Sequence, residues 1–73
     1  MNFLHYLFNA SHEDCIWLLD YLKRQKELCE KGINEGNWEG YAENLKIRKD
    51  NLRNINANIE IIELKLKEYE RSN

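Results

Sequence analysis

From Trp38 to Tyr69 the large residues Trp38, Tyr41, Leu45, Leu52, Ile55, Ile59, Ile62, Leu66 and Tyr69 follow one another at steps of three and four, with Arg48 the one polar member. A strand would alternate with period two, so a pattern sustained over about five heptads demands a helix with a continuous packing seam. The spacing predicts one long helix over residues 37–71, about 52 Å in length at 1.5 Å per residue. Such a rod must be covered along the seam by other helices, which restricts the chain to an all-α fold.

What can cover it is limited by size. The chain has 73 residues, and a chain that short exposes so much of its surface that one core stabilises it only marginally. A partner chain is therefore expected. One third of the residues are charged, the formal net charge is −2 and proline is absent, a balance suited to exposed helices.

Upstream, Phe3, Leu4, Leu7 and Phe8 predict a short helix over residues 2–9 that cannot stand alone in water. Ser11 followed by Asp14 reads as a capping box opening a second helix over 12–31, with Gly32 its expected stop and 32–36 the turn. Cys15, Leu19, Leu22, Cys29 and Ile33 form this helix's seam, interrupted by Lys26. Trp17, Tyr21, Arg24 and Leu28 form a second stripe beside it at the same spacing.

A short loop predicts an antiparallel coiled-coil hairpin, and a turn centred near residue 34 places residues whose numbers total roughly 69 at one level. His12 should then face Ala57, and Arg48 should meet Asp20, an ion pair fixing the register of the two arms. Residues 58–71 should extend past the second helix. Since Ala57, Ile61 and Leu64 add an apolar stripe outside the main seam, this overhang should pack between several helices, most simply in a homodimeric bundle. The expected interface is Leu52, Ile55, Ile59, Ile61, Ile62, Leu64, Leu66 and Tyr69. Asn37, Asn44, Asn51 and Asn58 each sit one place before a first seam position, where most polar residues are tolerated.

Motifs for chemistry are weak. His12 and Cys15 have the spacing of two zinc ligands on one helical face, but two ligands are half a site, and capping and packing account for the His12–Cys15 cluster more simply. Consecutive residues point in different directions, so His12, Glu13 and Asp14 do not converge on one substrate atom. No phosphate loop, nucleophile motif or cofactor fingerprint occurs, so neither an enzyme nor a bound cofactor or metal is expected. Cys15 and Cys29 lie two heptads apart on one helix, about 21 Å, too far for a disulfide, and read as reduced core thiols.

A belt of Lys23, Arg24, Lys26, Lys46, Arg48, Lys49 and Arg53 is flanked by glutamates, the mark of a salt-bridged solvated face more than of nucleic-acid binding. The amino-terminal stretch lacks the charged start and long apolar run of a signal peptide or membrane span, so a cytoplasmic protein with no membrane contact is expected. Trp17, Tyr21, Trp38 and Tyr41 are candidate hot spots for a protein partner. The expected function is a small regulator or inhibitor that occludes a larger protein, as small proteins of phages and mobile elements do by analogy, with a self-assembling scaffold or adaptor as the first alternative and a nucleic-acid-binding regulator using the basic belt as the second.

Overall fold

The computed structural model describes residues 3–72 and is all-helical: α1 spans Phe3–Phe8, α2 His12–Glu35 and α3 Ala42–Ser72. The expected start of the first helix at Asn2 lies outside the described residues, as do the side chains of Phe3, Leu4 and Phe8. α2 opens as its sequence requires. The Asp14 amide donates to Ser11 Oγ at 3.1 Å and the Ser11 amide donates to Asp14 Oδ2 at 3.3 Å, so each satisfies an orphan N–H of the first turn.

The turn departs from expectation. α2 does not stop at Gly32 but continues to Glu35, and α3 begins at Ala42, so Trp38 and Tyr41 belong to the connection rather than to the long helix. Three local bonds explain the shift. The Gly36 amide donates to the Gly32 carbonyl, and the Trp38 indole Nε1 donates to the Ile33 carbonyl at 3.1 Å, together satisfying acceptors in the last turn of α2. The Tyr41 amide then donates to the Trp38 carbonyl at 2.8 Å, closing a turn whose third residue, Gly40, has φ +80, a conformation glycine adopts without strain. Asn37 supports the same turn by accepting from the Glu39 amide at 3.2 Å. Gly36 is required for space, since a Cβ there would lie 2.8 Å from the Trp38 indole nitrogen.

Gly32 has no such duty. It lies within α2, and a Cβ added to it would make ordinary contact, 3.6 Å from an Arg48 guanidinium nitrogen. Gly32→Ala is therefore expected to stabilise the fold by about 0.5–1 kcal/mol, read as a rise in the thermal midpoint. A fall would show that Arg48 needs the space.

Moving the turn changes the register. Cys29 Sγ donates to the Arg48 carbonyl, the Tyr69 hydroxyl donates to the Ala10 carbonyl at 2.6 Å, and the His12 ring lies 5.4 Å from that of Tyr69. These partners have numbers totalling roughly 80 instead of 69, as expected when a turn slides by several residues. His12 accordingly faces Tyr69, not Ala57, and the expected overhang disappears.

The core forms where the carboxyl-terminal half of α3 meets the start of α2 and the α1 segment. Its buried members are Leu7, Ala10, Cys15, Leu22, Ile59 and Ile62. Leu18, Leu19, Ile55, Ile61, Leu66 and Tyr69 pack against them. Toward the turn the contacts thin, with Cys29, Ile33, Leu45 and Leu52 only half-buried. The molecule measures 51 × 22 × 14 Å, a slab little thicker than one helix with its side chains.

Candidate interaction surface

The seam residues expected to meet a second chain are mostly used within this one. Ile59 and Ile62 are buried, Ile55, Ile61, Leu66 and Tyr69 lean on the same core, and Leu52 is half-buried. Leu64 differs, being 62% exposed. The stripe of Ala57, Ile61 and Leu64 is thus divided: Ile61 turns toward the core while Ala57 and Leu64 face solvent. The several neighbours that the doubled apolar pattern called for include α2 and the Leu7–Ala10 segment of the same chain.

Asp20 and Arg48 are not brought together. Asp20 pairs with Arg24 one turn along α2, Oδ2 to Nη2 at 2.9 Å. Arg48 lies at the level of Cys29, with its guanidinium carbon 5.7 Å from the centre of the Trp38 ring, a cation–π arrangement. The displaced register accounts for both partners. An open groove of about 470 Å³ lies beside them, lined by Cys29, Trp38, Asn44, Ile47, Arg48 and Asn51. Two of the four periodic asparagines therefore border one groove, and a third, Asn37, shapes the turn.

The four candidate aromatic residues part company. Trp38 is half-buried and bonded as described, whereas Tyr41 is exposed. Trp17 and Tyr21 stack on each other with ring centroids 5.8 Å apart and planes 8° from parallel. Trp17 lies about 200° around α2 from the buried Cys15 at 100° per residue, so this pair stands on the side turned away from α3. Leu28 continues the stripe. Trp17 is 64% and Leu28 63% exposed, with the Arg24 side chain between them also in solvent.

Chemistry at the polar cluster is muted. Cys15 is fully buried, and burial raises its thiol pKa above the ordinary value, opposed by Lys65 and reinforced by Asp14. Cys29 is half-buried, and both thiols are free. Among the described residues no group of three or more His, Cys, Asp or Glu side chains is placed to hold a metal ion. In the basic belt, Arg24 is bonded to Asp20, and Arg53 to Asp50 at 3.5 Å, which reduces the charge presented to a polyanion. No described helix is long and apolar enough to cross a membrane.

Comparison with protein-family models, with curated proteins and with solved structures gives no match.

The exposed apolar residues escape a search for a single seam because they do not share one. Tyr6, Ile16, Trp17, Tyr21, Leu28, Tyr41, Ile47 and Leu64 are all large, apolar and open to solvent. The Trp17 stripe was legible from its three-four spacing, whereas Ile16 and Ile47 belong to no repeated pattern.

Proposed function

We propose that the protein is a non-enzymatic binding module, an antiparallel helical hairpin that self-associates as a homodimer and acts on a larger protein as a regulator or inhibitor by covering its working surface. One observation carries this: among the described residues, eight large apolar side chains stay in solvent outside the core. Where such side chains lie together, as Trp17, Tyr21 and Leu28 do along α2, they mark a place where another protein can bind. A cytoplasmic setting is consistent with two reduced thiols.

Affinity capture with tagged protein from a lysate of its natural source tests the target-binding half. One larger protein at fixed ratio, retained through moderate salt, is the expected result. Recovery of the untagged chain alone would replace this function with that of a self-assembling scaffold or adaptor. Recovery of nucleic acid lost steeply with salt would point to the basic belt instead.

A further inference from the structure

We infer that the outward stripe of α2 is the self-association surface and that its occupant is a second copy of α2, running antiparallel about a twofold axis between Leu22 and Lys23. The inference rests on the self-association proposed above and gives it a location. Four features support it.

The first is area. A compact monomer of 8.9 kDa exposes about 4,800 Å². This chain exposes 5999 Å². The surplus, on the order of 1,200 Å² over the whole elongated molecule, is surface that a second copy laid along its length would reduce. The radius of gyration agrees, at 14.9 Å against about 11 Å for a compact chain of this length.

The second is spacing. Asp14, Trp17, Tyr21, Arg24, Leu28 and Lys31 follow steps of three and four along α2, the repeat that lets two helices interlock. All six are exposed.

The third is self-complementarity. Under the stated axis Trp17 meets Leu28 of the second copy, Tyr21 meets Arg24, and Asp14 meets Lys31, each pair occurring twice. These are an apolar contact, a cation–π contact and an ion pair. The Trp17–Tyr21 stack already holds both rings on this side of the helix.

The fourth is exclusion of the alternatives. Sliding by one layer in one direction sets Arg24 against Arg24 and Asp14 against Glu35; sliding in the other pairs Tyr21 with itself and Trp17 with Arg24 but sets Asp14 against Leu28 and takes Lys31 away from Asp14. A parallel pair opposes Arg24 and Lys31 to themselves. Like charges held together cost affinity, which disfavours the first slide and the parallel pair, while the second slide gives up the Trp17–Leu28 contact and the Asp14–Lys31 ion pair.

Sedimentation equilibrium on the full chain and three variants tests the surface. Trp17→Lys and Leu28→Glu should each weaken the dimer by about thirtyfold or more, the effect of losing a central anchor, with helicity retained because both side chains lie outside the core. The double variant W17K/L28E places a lysine opposite a glutamate twice and should recover at least about tenfold over either single variant. A dimer indifferent to both single changes overturns this surface and leaves self-association standing. A double variant no tighter than the singles overturns the register. A monomeric parent overturns self-association with it, while target binding is read independently by capture.

Discussion

Ile62→Asp is expected to abolish the cooperative fold, not merely to separate one chain from another. Ile62 is 0% exposed within a single chain, enclosed with Leu7, Cys15, Leu22 and Ile59. Removing the isoleucine forfeits about 2–5 kcal/mol by analogy with large-to-small core substitutions. A carboxylate in its place adds a desolvation cost of several kcal/mol, or protonates, and the only polar side chain in that cluster is the weakly hydrogen-bonding thiol of Cys15. A domain of this size holds about 5 kcal/mol in total. Far-ultraviolet circular dichroism should therefore show most of the helix signal lost. Full helicity with a halved mass would instead place Ile62 between chains.

Leu7→Ala carries the second largest expected effect, because it disconnects an element that cannot persist alone. α1 has only six residues, fewer than an isolated helix needs in water, and Leu7 is its buried anchor. Deleting that side chain from a closed core costs about 2–5 kcal/mol and opens a path for water toward Ile62 and Cys15. For a domain of this size the thermal midpoint should fall by at least about 10 °C. Hydrogen exchange adds the location: α1 amides and the Tyr69 end of α3 should lose protection first, since the Tyr69–Ala10 bond depends on the same docking. An unchanged midpoint would contradict the packing of α1 against its own chain.

The helices were legible because their signals are local. Ser11 and Asp14 mark the start of α2, and the repeat through Leu45, Leu52, Ile59 and Leu66 requires a helix wherever its ends fall. Register was not legible, because it depended on a stop signal that competing interactions override. Glycine costs a helix interior only about 1 kcal/mol, and continuing past Gly32 brings Ile33 into the turn-end packing, where the Trp38 indole takes its carbonyl. Every residue by which the turn moves shifts the pairing of the arms by two. Arg48 thus lies beside Cys29 and Trp38 instead of Asp20, and the residues expected to overhang fill the core.

The same shift relocates the exposed apolar surface. The carboxyl-terminal seam has the stronger apolar pattern, and for that reason its own chain consumes it. The weaker stripe, Trp17 to Leu28, contains an arginine and lies opposite the seam of α2, so intrachain packing leaves it open. A polar residue that would interrupt a core is tolerated in a surface that forms only after folding, where Arg24 can face an aromatic ring.

The mass of the unmodified chain in solution, measured by sedimentation equilibrium across micromolar concentrations, tests the account most directly. Twice the 8.9 kDa chain mass at full helicity is the predicted result. A fully helical species of 8.9 kDa at every concentration would contradict it, and would mean that the slab carries its exposed apolar stripe without a second copy to cover it.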